Sequence, residues 1–138
     1  MGLPFNPDFN SAGQAGRGPN QITARGRQRF STSIAYVHPA LRCPNLTMTT
    51  GARMTRVLIE RGRAVGVEYV QQGRLKRLMA QGKVILSAGA IATPRLMMLS
   101  GVGPAADLIQ HGIAAQVDLP GVGQNLQDHI ERYRGSFS

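Results

Sequence analysis

The chain has no tryptophan, a single cysteine, few aromatics and few acids. Each shortage closes off some readings. With Cys43 alone, no intrachain disulfide can form, which points to a reducing compartment. No apolar run approaches the roughly 18 residues that a membrane-spanning helix needs. The N-terminus, MGLPFNPDFN, lacks the charge-then-apolar order of a secretory leader, so a cytoplasmic location is expected. His38, Cys43, His111 and His129 fall at no metal-ligand spacing and have no carboxylate pair beside them, so no metal site is expected. The shortage of acids leaves 16 Lys plus Arg against 7 Asp plus Glu, a net charge of +9. A nucleic-acid-binding module is the alternative which that charge raises. The arginines are scattered, however, from Arg17 to Arg132, and no aromatic residues are interleaved with them. A solvated arginine-rich surface is the favoured reading, and no nucleic-acid partner is expected.

What is present is a mixed pattern. Residues 1–20 are rich in Gly, Pro and Asn and read as loop. Gln21-Ile22-Thr23 is a weak strand, closed by Arg25-Gly26-Arg27. Ser31 is placed to cap a helix whose apolar stripe is Phe30, Ile34, Val37 and Leu41, with Pro39 ending it near His38. Leu46, Met48 and Thr50 alternate as a strand. Three further runs, Met54–Ile59, Val65–Tyr69 and Arg74–Met79, are separated by turns at Glu60-Arg61-Gly62-Arg63 and Gln71-Gln72-Gly73 and read as an antiparallel meander. A helix follows at about 104–111, stopped by Gly112. A short strand is then expected at 116–119.

Lys83 to Gly103 is the stretch around which the rest is organised. Val84-Ile85-Leu86 is apolar on both faces, as a strand inside a parallel sheet would be. Ser87-Ala88-Gly89-Ala90 offers small residues where backbone can approach a ligand closely. Thr93 and Pro94 read as the cap and first turn of a helix that buries Leu96, Met97, Met98 and Leu99. A strand, a meander and a second buried strand make a β crossover of the kind found in flavin and dinucleotide domains. The fold class is therefore α/β (α+β mixed): part of an FAD/NAD(P)-binding-type domain with a β-meander crossover.

No complete active site appears. Gly101, Gly103 and Ala106 fit GxGxxA, with Asp118 as the following acid. That fingerprint needs a strand before its first glycine, and a helix is expected there. Ser100 lacks the preceding glycine of a nucleophile elbow. Asp128-His129 suggests a base and its orienter, but adjacent residues point different ways and a structural role is favoured. No catalytic residue is assigned.

Several segments together carry a resemblance. Gly89–Pro104, GAIATPRLMMLSGVGP, resembles the second signature of the glucose–methanol–choline (GMC) FAD-dependent oxidoreductases. Val117–His129 resembles the family's exit from the flavin domain, and Arg63–Tyr69 resembles its meander strand. Asn6–Asn10, Gln21–Thr23 and Ala35–Ala40 resemble the choline-dehydrogenase-like branch. The resemblance implies FAD as cofactor, an alcohol as substrate and hydride transfer to the flavin. It implies a partial FAD site, in which Ala88 and Gly89 pass close to the adenosine end and the backbone of Met54 meets the adenine. The family's N-terminal GxGxxG and its catalytic-histidine segment have no counterpart here, so the chain reads as an internal piece whose N- and C-terminal partners are missing. It would be inactive alone; a non-functional truncated relic is a further alternative. Residues 1–42 are expected to border the substrate domain and 43–126 to form part of the FAD domain. Residues 127–138 would begin the substrate-domain segment. The complete enzyme could be membrane-peripheral, and no segment here is expected to span a membrane.

Overall fold

The structure is a computed structural model that describes residues 2–19 and 21–128. The expected role of His129 lies outside them. The chain forms two compact units, residues 1–49 and 50–138.

In the first unit, the expected loop is organised around Asn6, which is buried. Its side-chain amide donates to the Gly13 carbonyl (2.7 Å) and the Ala15 carbonyl (3.2 Å), and its carbonyl oxygen accepts the Asp8 N–H (2.9 Å). One side chain thereby does for the loop what a ladder does for a strand. The next strand signal is displaced. Instead of Gln21-Ile22-Thr23, a small hairpin pairs β1 (Ala24–Arg25) with β2 (Gln28–Arg29) around Gly26 at φ +60°. A left-handed glycine decides where a two-residue turn can go, and it outweighs the β propensity of Ile22. Beyond it, Ser31 does receive the Ile34 N–H, at 3.4 Å. The helix is a π-helical turn, Ser33–Val37, running into a short α-helix, α1 (His38–Ala40). Pro39 lies in its first turn, where a missing N–H costs nothing, so it does not end the helix at His38. The expected strand at 46–50 is absent; those residues have no ladder partner among the described residues.

The second unit contains the meander as expected: β3 (Ala52–Glu60), β4 (Arg63–Gln71) and β5 (Arg74–Met79), antiparallel in the order β3-β4-β5. Both hairpins turn on two residues with positive φ, Arg61 (51°) with Gly62 (75°) and Gln72 (51°) with Gly73 (73°). This geometry matches the twist of the flanking strands. β3 also carries two register irregularities, between Met54 and Arg56 and between Leu58 and Ile59.

Residues 83–87 correct the expectation most clearly. They form no strand, and Ile85 is 81% exposed. A buried parallel strand needs neighbours on both sides, and among the described residues no strand pairs with 83–87. The helix that follows, α2 (Gly89–Leu99), starts earlier than expected, leaving Pro94 inside it. Thr93 still works at that end, because its hydroxyl accepts the Ala88 N–H at 3.0 Å. α2 is buried on one side only: Leu96 is buried, whereas Leu99 and Ile91 are exposed.

Gly101, at φ +83°, ends the helix and leads into β6 (Val102–Gly103). α3 (Ala105–Gln110) connects it to β7 (Val117–Asp118), which pairs parallel with β6. The buried apolar residues here are Leu96, Leu108 and Val122. No helix among the described residues is long and apolar enough to cross a membrane.

Candidate functional site

The three residues expected to meet a cofactor lie at the starts of two elements. Met54 is half-buried near the N-terminal end of β3, in register with Tyr69. Ala88 and Gly89 are exposed at the N-terminal end of α2. Met54 forms no hydrogen bond with the other two. What ties their elements together is Ser100, at the far end of α2. Its hydroxyl accepts the Val57 N–H (2.8 Å) and donates to the Leu96 carbonyl (2.6 Å). β3 has a partner strand on one side only, so Ser100 supplies an acceptor that the ladder does not. Ser100 is thus an interlock between helix and sheet, which agrees with its lack of nucleophile-elbow geometry.

Gly89 has a left-handed backbone with open space beside it. Its φ is +86°, and a Cβ built there would meet nothing within 4 Å. The left-handed backbone favours glycine, and the open space beside it leaves main chain accessible from outside. The first N–H groups of a helix have no acceptor within the helix. At α2, the Ala88 N–H is already taken by Thr93, and the free ones start from Gly89. A small-residue backbone edge at a helix start fits one side of a nucleotide such as FAD.

The Gly101–Gly103 pair does not fit a phosphate. A Cβ at Gly101 would stand 2.5 Å from the Ala114 carbonyl, and one at Gly103 would stand 2.9 Å from Met98 Cγ. Protein fills the space that a ligand would need, so these glycines serve internal packing. Asp118, the acid that follows these glycines, accepts the Ala105 N–H at 2.9 Å and caps α3. His38, Cys43 and His111 are all exposed and on separate segments.

Residue-by-residue reading missed one cluster. Glu68 on β4 is buried between Arg56 on β3 and Arg77 on β5. Its carboxylate accepts from Arg56 Nε (3.0 Å) and Nη2 (3.2 Å), from Arg77 Nε (3.1 Å) and from the Thr55 hydroxyl (3.3 Å). The hydrogen bond from Arg56 holds the Glu68 carboxyl below its usual range; burial opposes this, and Arg77 adds to the lowering. The same bond raises the Arg56 guanidinium.

Known proteins extend the comparison. The model of the GMC oxidoreductase family matches residues 1–131. An alcohol dehydrogenase [acceptor] of Pseudomonas putida is 49% identical over 131 residues, covering 94% of this chain and 24% of the relative. The mitochondrial choline dehydrogenase of Homo sapiens is 49% identical over 132 residues, covering 96% of this chain and 22% of the relative. The crystal structure of a pyridoxine 4-oxidase from Mesorbium loti superposes with a TM-score of 0.85 at 35% identity, over 93% of this chain and 25% of that one. The chain thus spans about a quarter of the length of the proteins it matches. With a family model matched along nearly its whole length and a fold shared with a solved member, the chain belongs to the GMC oxidoreductases, the FAD-dependent family that its signature segments resemble.

Proposed function

We propose that this chain is the part of an FAD-dependent alcohol oxidoreductase, choline-dehydrogenase-like, that builds one side of the adenosine end of the FAD site. In this reading FAD, when bound, accepts the hydride removed as the alcohol becomes an aldehyde. Gly89 carries the proposal, because its left-handed backbone faces open space at the start of α2. Gly89 and Ala88 let main chain approach the adenosine without a side chain in the way, and the Met54 backbone meets the adenine from β3. α2 and β3 are held together by Ser100, so these contributions stay in register. Residues 43–126 belong to the flavin domain, and 1–42 and 127–138 border the substrate domain.

The apolar segment 84–86, with Ile85 exposed, is a strand in waiting, completed by sheet from elsewhere in the enzyme. Neither a GxGxxG phosphate loop nor a catalytic histidine is among the matched motifs of this chain. Each such electrostatic element contributes on the order of several kcal/mol. Alone, the chain is therefore expected to purify colourless and to oxidise no alcohol. The test is the flavin absorbance spectrum of the purified chain, together with dye-linked oxidation of choline and simple alcohols. A stoichiometric yellow, active protein would overturn the proposal.

A further inference from the structure

Beyond the residues assigned to the cofactor, the second unit holds a cleft of about 580 Å³ between the meander and the end of α2. None of Met54, Ala88 and Gly89 lines it, so a ligand held there is independent of the FAD reading. Arg56 and Arg77 line it, with apolar walls from Leu58, Met79, Leu99 and Ile113. The two guanidiniums are fixed by the buried Glu68 carboxylate between them, yet keep side-chain exposures of 48% and 61%.

Their donors are not exhausted. Arg56 spends Nε and Nη2 on Glu68, and Arg77 spends Nε alone. Among the described residues, Nη1 of Arg56 and both terminal nitrogens of Arg77 make no hydrogen bond to protein. Two positive groups share one carboxylate, so the trio keeps a net positive charge. Glu60 also lines the cleft and makes no ion pair among the described residues, so it partly offsets that charge. A planar guanidinium whose free edge faces a cleft matches a carboxylate, which it can bind through two parallel hydrogen bonds. Because Glu68 holds both side chains in place, less rotamer freedom is lost on binding. The cleft volume lies in the range of small-molecule sites.

We propose that this cleft binds a small organic carboxylate, its head on Arg56 and Arg77 and its apolar body against Leu58, Met79, Leu99 and Ile113. The test uses 4-phenylbutyrate, titrated into the full chain and followed by the amide and arginine Nε–H resonances. The expected result is saturable binding that shifts the Arg56 and Arg77 Nε–H signals together with the amides of Leu58 and Ile113. The alcohol 4-phenyl-1-butanol, which has the same body without the charge, is expected to bind at least about tenfold more weakly. Arg77→Gln, at the more exposed of the two positions, is expected to weaken 4-phenylbutyrate by about tenfold, the cost of a charge-assisted hydrogen bond. Absence of saturable shifts would overturn the proposal. So would equal binding of the alcohol on the unaltered chain, an unchanged affinity in Arg77→Gln, or inorganic phosphate matching 4-phenylbutyrate, which would mean that charge alone is recognised.

Discussion

Replacing Ser100 by alanine would isolate the interlock that joins α2 to β3. The hydroxyl accepts the Val57 N–H at 2.8 Å and donates to the Leu96 carbonyl at 2.6 Å. The two losses are unequal. The Leu96 carbonyl keeps the Ser100 backbone N–H at 3.1 Å, whereas the Val57 N–H loses the acceptor on which it depends. A buried donor without a partner costs about 1–3 kcal/mol. Val57 lines the cleft, where water can reach it, so the lower part of that range applies, about 1–2 kcal/mol. In a domain of this size each kcal/mol lowers the unfolding midpoint by about 4–8 °C, so a fall of about 5–15 °C is expected. Thermal unfolding followed by circular dichroism measures it, with the exposed Ser87→Ala as a control that should stay within about 0.5 kcal/mol. A Ser100→Ala change no larger than that of the control would refute the interlock.

Other perturbations separate the remaining parts of the account. Gly101→Ala should destabilise by more than about 2 kcal/mol, because it combines a left-handed backbone with a Cβ 2.5 Å from a carbonyl. Gly103→Ala, whose Cβ would crowd the Met98 side chain and only touch Leu108 at ordinary contact distance, should cost about 1 kcal/mol, and urea denaturation ranks the pair. Arg61→Asn should stabilise by about 0.5 kcal/mol, since Arg61 sits at φ +51° in a turn that favours Asn-Gly; its denaturation midpoint should rise. The lowered Glu68 pKa fixes the sign of a pH effect. The folded state holds that proton less tightly than the unfolded state does. Its stabilisation is therefore complete above the ordinary glutamate range near about 4.3 and is lost as pH falls through the lower folded value. Glu68→Gln should flatten that acid limb in unfolding midpoints measured between about pH 7 and 3.

How much of this was legible in the sequence differs from element to element. The meander was, because its two turns are local: Arg61-Gly62 and Gln72-Gly73 each specify a two-residue hairpin without reference to the rest of the chain. The Gly101–Gly103 pair could be set aside as a phosphate loop because a helix precedes it, and the occupied space beside both glycines supports that. Val84-Ile85-Leu86 misled because an apolar run records what the segment is suited to pack against, while ladder formation depends on strands elsewhere. The Glu68 cluster was half hidden. Counting back from the Gln72-Gly73 turn places Arg77 opposite Glu68. The same count from Arg61-Gly62 would set Arg56 against Val67, and only the irregularity between Leu58 and Ile59 moves it onto Glu68. A bulge shifts register by one residue and exchanges the faces, and no signal in these side chains announces it.

The central claim is that Met54, Ala88 and Gly89 form one side of the adenosine site, and a titration of AMP into the chain with residue-resolved amide shifts tests it most directly. The account predicts weak, saturable shifts on the amides of Met54 and Gly89 and their neighbours, with Gly101 and Gly103 unmoved. Shifts centred on Gly101–Gly103, or saturation that leaves Met54 and Gly89 unchanged, would contradict it.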